Sequence, residues 1–316
     1  MAFEPPQRLV RALGETPDGD GSTADWLERL PRLAEAALDR RAVRAQRVQA
    51  PGGRSSLVVL VQYEDGTPAV LKLAPPQARP DRELAALAHW GGFGAVRVLD
   101  TRHHAEDGAL LLERLHPEVS LRSLPEAKAL LEASGTLRRL WVKPPEGHPF
   151  ETVAERTARQ AGALRAAVQA GAAGAGASAG AGALAEAALA VHEELTTGPG
   201  QGPGGEQLLL HGNFRQGKVL AGDRAPWLAV GPEPVVGERA YDLARLVRDR
   251  LEDQVASSAG AAGARRRVNK LADSLEVDRD RLRGWTLFRA VESGTRALAA
   301  GRRRDAELLL EFAAWL

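Results

Sequence analysis

Apolar residues recur at helical spacing over 22–40, where Trp26, Leu30, Leu33 and Ala37 share a face behind a capping-box pair, Ser22 and Asp25. The period then shortens to two. Leu57 to Tyr63 and Pro68 to Leu73 are β-rich runs around Asp65-Gly66, a strong hairpin signal. In the second run Ala69, Leu71 and Leu73 fall on one face, Val70 and Lys72 on the other. Asp81 to Trp90, entered through Pro80, reads as a short helix. Val96 to Asp100 and Ala109 to Glu113 read as another hairpin, with Asp107-Gly108 in the turn. Beyond Leu115 the alternation nearly vanishes, and helices are predicted over 124–141, 151–169, 181–195, 238–255, 266–276, 279–300 and 303–316. The exception is 207–230, where two short apolar runs, Leu208 to Leu210 and Trp227 to Val230, flank a polar loop. Residues 170–183 are almost pure Ala, Gly and Ser. Because Gly costs a helix about 1 kcal/mol relative to Ala, they predict a broken connection. Residues 198–205 predict a flexible loop.

Composition narrows the classes. A chain of 316 residues suits two packed units better than one core. A 44% apolar and 26% charged make-up is that of a soluble globular protein, and a net charge of +1 gives no reason to expect nucleic acid or an anionic membrane as partner. The absence of Cys excludes disulfides, thiolate metal sites and cysteine nucleophiles. Met1 to Leu13 has no apolar signal-peptide region and no stretch approaches a membrane span, so a cytoplasmic location is expected. Arg carries nearly all the positive charge and Ala and Gly abound, which points to a high-GC, actinobacterial source.

Two constellations carry candidate chemistry. Lys72 on the second strand of the first hairpin, with Glu83 on the next helix, resembles the lysine–glutamate pair that holds nucleotide phosphates in protein kinases. By itself the pair is better read as a surface Lys and an unrelated Glu. The second is His211-Gly212-Asn213-Phe214-Arg215-Gln216-Gly217-Lys218, which resembles a kinase catalytic loop with Asn213 at the Asp position and Lys218 at the Asn position. Trp227 to Pro234 resembles the strand and turn that bring a metal-binding Asp, with Gly231 at that place. Val236 to Ala244 follows as an intact signature opening a helix.

Together with Pro68-Ala69-Val70-Leu71-Lys72, Leu111 to Leu115, Pro144 to Phe150 and Trp285 to Ser293, these motifs make the chain similar to the aminoglycoside and hydroxyurea antibiotic-resistance kinases, nearest their streptomycin 6-phosphotransferase branch. The resemblance implies an α+β, protein-kinase-like fold: a small antiparallel-sheet N-lobe over 1–115, a larger helical C-lobe over 116–316, and a nucleotide cleft between them. It implies that Glu113 to Leu115 form the adenine-binding hinge, that Lys72 reaches the phosphates oriented by Glu83, and that His211 and Asp242 are structural members of the catalytic loop.

The departures fall on the reacting positions. Asn213 has an amide where the resemblance places the general base, a group typically worth roughly 10²–10⁴ in rate. Gly231 offers magnesium no side-chain oxygen. Lys218 is repulsive as well: a cation about 4 Å from a divalent ion costs on the order of 8 kcal/mol at an effective dielectric of ~20. Glu233 stands two residues past Gly231, but Pro232 and Pro234 fix the backbone around it, which weighs against its serving as a metal ligand. The expectation is therefore a pseudokinase, not an enzyme, with no intact catalytic residue and no metal. It would bind a nucleotide, metabolite or protein partner, and Lys72, Glu83, Glu113, Leu115 and Lys218 would be its nucleotide-side groups. ATP held without magnesium is the cofactor state these cations permit. The alternatives are a weak phosphotransferase on a small hydroxylated compound, or a fold repurposed for other chemistry.

Other features are weaker. Gly198 to Gly205 lacks the Lys-Ser or Lys-Thr of a P-loop. Gly52 to Ser56 fits a phosphate-covering loop and a plain turn equally. His103, His104 and Glu106 fit a solvated turn better than a metal site. Arg265 to Arg267 and Arg302 to Arg304 fit helix ends or surfaces.

Overall fold

A computed structural model describes residues 3–15, 21–173, 179–197 and 205–316. They fall into two compact units, residues 1–120 with 220–231, and residues 121–219 with 232–316.

The first unit is built on a five-stranded antiparallel sheet in the order β1-β2-β3-β5-β4. Its strands are β1 (Val43–Val48), β2 (Leu57–Tyr63), β3 (Pro68–Leu73), β4 (Val98–Asp100) and β5 (Leu110–Glu113). The hairpin expected at Asp65-Gly66 forms: Leu60 pairs with Val70, Val58 with Lys72, and Gly66 takes a φ of 90°. Leu57, Val59 and Val61 join Ala69, Leu71 and Leu73 on one face, packed against Trp26, Leu30, Ala34 and Ala37 of helix α2 (Ser22–Arg40), preceded by α1 (Gln7–Gly14). Alternation leaves Lys72 on the opposite face. Helix α3 (Pro80–Trp90) follows. A second, three-stranded sheet joins β6 (His116–Ser120), β8 (Val219–Ala221) and β9 (Leu228–Ala229).

The second unit is mainly helical: α5 (Glu126–Leu140), α6 (Val153–Ala173), α7 (Ala179–Thr197), α8 (Arg239–Val247), α9 (Leu251–Ala256), α10 (Gly260–Leu275), α11 (Arg279–Ala299) and α12 (Arg303–Ala313). Tyr241, Trp285, Phe288 and Phe312 are fully buried in it. A two-stranded ladder, β7 (Leu208–Leu210) with β10 (Val235–Gly237), pairs Leu210 with Val235 and Leu208 with Gly237. No helix among the described residues is long and apolar enough to cross a membrane.

Several local expectations change. Ser22 is the first residue of α2 and not its cap; Gly21, at φ 71°, turns the chain into the helix without a side-chain cap. Residues 104–107 form a short helix, α4 (His104–Asp107), in place of a hairpin turn, because Asp107 is held by Arg41 through two hydrogen bonds of 2.6 and 3.0 Å. His103 Nδ1 lies 2.9 Å from Asp100 and His104 Nδ1 faces the Ala109 carbonyl, so these rings have structural partners. The single helix expected over 238–255 breaks between α8 and α9, with Arg250 at φ 55°. There the Arg250 guanidinium bonds the carbonyls of Leu121, Arg122 and Leu124. α1, β1, β6, β8 and β10 were not anticipated; each is short or charged and lacks clear periodicity. Helix α6 runs to Ala173 and α7 begins at Ala179, so 170–173 and 179–183, expected in a broken connection, are helical; the rest of that expectation falls on 174–178. Those residues, and 198–204 of the glycine-rich loop, lie outside the described residues.

Candidate active site

In the first unit Lys72 and Glu83 come together. Strand β3 turns Lys72 away from the α2 core, and Glu83, in the first turn of α3, is where a carboxylate is favoured by the helix dipole. The ammonium bonds Glu83 Oε2, and both side chains are largely buried, 13% and 6% exposed. Glu83 Oε1 is buried with no hydrogen-bond partner.

Glu113 closes β5, and its side chain is committed to the protein itself. Oε1 accepts the Arg97 backbone N–H at 2.8 Å and Arg224 Nη2 at 2.6 Å, while Oε2 accepts Arg224 Nε at 3.1 Å. Arg224 also reaches the Gly92 carbonyl at 2.7 Å. Any ligand recognition at this segment falls to the backbone. Leu115 is buried, and a Cβ on Gly222 would come within 2.8 Å of it, so Gly222 is what allows the close approach.

In the second unit β7 delivers the polar loop. His211 is fully buried, stacked edge-on to buried Phe214. The turn is pinned by Asp242 from the first turn of α8. Asp242 accepts the N–H of His211 at 3.0 Å and of Gly212 at 2.9 Å, and Trp141 Nε1 at 3.3 Å. Burial pushes the Asp242 carboxyl up, opposed by Arg289 and these donors. Arg289 donates to the carbonyls of Gly212 and Tyr241 and lies 4.2 Å above the Tyr241 ring. Farther along, the Gln216 N–H donates to Asp249 at 2.5 Å and Gln216 Oε1 accepts Arg250. A short 3-10 turn, Gln216–Lys218, then presents Lys218.

The structure unites Asn213 and Lys218 through a third residue, Glu233. Its Oε1 accepts Asn213 Nδ2 at 2.5 Å and lies 3.7 Å from Lys218 Nζ. The backbone around Glu233 is stitched to the loop: its N–H donates to the His211 carbonyl at 2.9 Å, and its carbonyl accepts Arg156 Nη1 at 2.9 Å. The two flanking prolines, which weighed against Glu233 from sequence, belong to the segment that aims it. Half of its side chain is open to solvent, 53% exposed. Partial burial tends to raise its pKa, but Lys218, the Asn213 amide and Arg156 outweigh that and hold it at about 2. The carboxylate is a permanent anion near neutrality.

Gly231 lies at φ 61°, a left-handed conformation that side chains rarely adopt. Arg245 on α8 adds to the positive field. Burial lowers it to about 10, with Asp249 opposing and Arg215 and Arg289 reinforcing. Magnesium takes hard oxygens in octahedral array. The loop offers one carboxylate, already shared by an amide and an ammonium, with no side-chain oxygen at Gly231 and cations around it. Among the described residues no group of three or more His, Asp or Glu could hold a metal ion. These residues do not fit a protein-held divalent cation.

A cavity of about 640 Å³ in the second unit, lined by Thr152, Glu206, Glu238, Asp278, Arg281 and Trp285, is not at this loop. It lies by the Leu208–Gly237 end of the β7–β10 ladder, whereas Asn213 and Glu233 follow from the Leu210–Val235 end. Two of its acids are engaged: Glu206 by Arg239, Glu238 by Arg281 and Trp285. Arg156, Arg224 and Arg289 were not anticipated as parts of the site, because each acts on backbone or carboxylates 70 or more residues away without a local motif.

A family model described as Aminoglycoside/hydroxyurea antibiotic resistance kinase matches residues 41–301. Streptomycin 6-kinase of Streptomyces glaucescens is 35% identical over 285 residues, covering 90% of this chain and 86% of its own. Hydroxyurea phosphotransferase of Kitasatospora aureofaciens is 34% identical, covering 87% and 75%. Among solved structures, aminoglycoside phosphotransferase APH(4)-Ia with ADP and hygromycin B superposes with a TM-score of 0.58 at 16% identity, over 89% of this chain and 96% of that one. Choline kinase from Cryptosporidium parvum does so at 0.54 and 9% identity, over 87% and 88%. These neighbours establish an α+β, kinase-like fold with a sheet-based and a helical part, as the motifs implied. By its sequence match across most of its length, the chain belongs to the aminoglycoside/hydroxyurea antibiotic resistance kinase family.

Proposed function

We propose that this chain is a slow, unconventional ATP-dependent phosphotransferase acting on a hydroxyl group of a small polar compound, of the aminoglycoside or hydroxyurea type. The observation that carries the reading is Glu233: the loop that lacks an Asp at 213 has a carboxylate hydrogen-bonded to Asn213 in its place. The relatives named as streptomycin and hydroxyurea kinases, at 34–35% identity, support phosphotransfer over a silent fold. The retained Lys72–Glu83 pair supports nucleotide binding.

Asn213 and Glu233 would share the acceptor hydroxyl. The amide orients it, and the carboxylate takes its proton. A carboxylate held at about 2 is a weak base, so the expected turnover is slow. Phosphoryl transfer through a loose transition state depends chiefly on positioning and charge stabilisation, so a weak base lowers the rate without removing the reaction. Asp242 and Arg289 hold the loop rigid enough for that positioning.

A second reading, a pseudokinase that binds without turnover, is favoured by Gly231 and Lys218. One measurement separates the two: ATP-dependent modification of streptomycin, other amino-sugars and hydroxyurea, read as acceptor-dependent ADP release with the product identified by mass. The expected result is slow acceptor-dependent turnover, raised roughly tenfold or more by Asn213→Asp and lost in Glu233→Gln. Background rates for every acceptor, in the wild type and in Asn213→Asp alike, would decide for the pseudokinase.

A further inference from the structure

Three cations, Lys218, Arg156 and Arg245, act on the single carboxylate of this loop, Glu233. Lys218 ends the 3-10 turn with its side chain 16% exposed, beside a carboxylate that is half open to solvent. Its distance to Glu233, 3.7 Å, is longer than the 2.7–2.9 Å of a charge-assisted hydrogen bond, and Glu233 already accepts Asn213 at 2.5 Å. Glu233 therefore keeps a partner when Lys218 leaves. Arg156 and Arg245 add positive charge near Glu233. A divalent ion entering here would face an ammonium and guanidinium groups, with one carboxylate in return. A polyphosphate meets the opposite balance.

Resting on the phosphotransferase reading above, we propose that Lys218 exchanges Glu233 for the phosphate oxygens of a nucleoside triphosphate, so that nucleotide is bound directly, without a protein-held divalent cation, and metal-free ATP binds at least as tightly as its magnesium complex. The exchange also frees Glu233 from its cation when nucleotide is present, making it more basic when the acceptor is to be deprotonated.

The test is isothermal titration of the full chain with ATP, once in chelator and once in excess magnesium. The wild type is expected to bind in chelator with an affinity equal to or tighter than in magnesium. Lys218→Asn is expected to weaken binding in chelator tenfold or more and to make magnesium helpful; Lys218→Arg, which keeps the charge, stays within about threefold of wild type. Thermal melts confirm that each variant is folded, and the wild-type comparison stands without any variant. Wild-type affinity that falls tenfold or more in chelator overturns the proposal, as does Lys218→Asn or Lys218→Met leaving the affinity in chelator unchanged. Tight metal-free binding without turnover upholds this inference while rejecting the phosphotransferase reading. No binding under either condition rejects both.

Discussion

Lys72 and Lys218 each face a glutamate, and the two pairs are built differently. Lys72 and Glu83 are 13% and 6% exposed, in direct hydrogen-bond contact, on a strand and a helix fixed by a packed sheet. Lys218 and Glu233 stand 3.7 Å apart, with half of Glu233 in solvent and its nearer partner an amide. The first pair has been taken out of water, and neither member leaves without stranding the other. In the second, Lys218 is nearly as buried as Lys72, at 16% exposed, but its carboxylate is half solvated and the contact is longer. The difference is one between a buried, directly bonded pair and a longer pair with a half-solvated carboxylate, although the two share residue types and both arise from the motifs that point to this family; under the exchange proposed above only the second gives up its lysine.

The comparison is most easily broken at the buried pair. Glu83→Ala leaves an uncompensated ammonium in a largely buried position and is expected to cost about 3–5 kcal/mol, read as a loss of unfolding free energy in denaturant. Replacing both members with apolar residues, Lys72→Met with Glu83→Met, is expected to recover most of that, because the penalty lies in the stranded charge. A Glu83→Ala cost near that of a surface pair would show that Lys72 is hydrated, and the contrast with Lys218 would fail.

Next in size is Gly212→Ala. A Cβ there would sit 1.9 Å from the Glu233 carbonyl oxygen, at φ 75°, where Ala is already strained. Backbone on both sides must move, at an expected cost of about 2–4 kcal/mol. The carboxylate should leave Asn213 with it. Turnover that survives Gly212→Ala at the wild-type rate would separate Glu233 from the reaction.

What could be read from sequence follows the same divide. The Lys72 side of the site was legible because alternation along Pro68 to Leu73 fixes which face each side chain takes, and an Asp-Gly turn fixes the register. His211, Asn213 and Lys218 were legible as a motif, and Asp242 as part of an intact signature. Glu233 is weighed from sequence only as a metal ligand, and its contact with Asn213 was not foreseen. Proline on either side is locally a constraint, whereas in the fold the same segment is anchored by His211 and Arg156. That anchoring depends on Arg156, far away along the chain, and nothing at either position announces it. The Arg224 clamp on Glu113 was hidden for the same reason. The break after α8 was missed because helical periodicity continues through it, while carbonyls of another segment compete for Arg250.

The smallest effect tests the loose pair directly. Glu233 is lowered from 4.5 to about 2 in the folded chain. A carboxylate depressed in this way contributes stability that is present above its unfolded value and lost as pH falls through the folded one. The window is therefore between about 4.5 and about 2. Since half of the side chain is solvated, the contribution is no more than about 1 kcal/mol. Unfolding free energies of wild type and Glu233→Gln should differ by a small, constant amount from pH 7 to 5 and converge as pH drops toward about 2. Half-molar salt should shrink the difference as well, because exposed charges are screened within a few ångströms at that strength. The buried pair gives the contrast: the Glu83→Ala penalty should hardly respond to the same salt. If salt weakens both penalties alike, the two pairs share one kind of environment, and the division between a fixed and an exchangeable lysine has no basis.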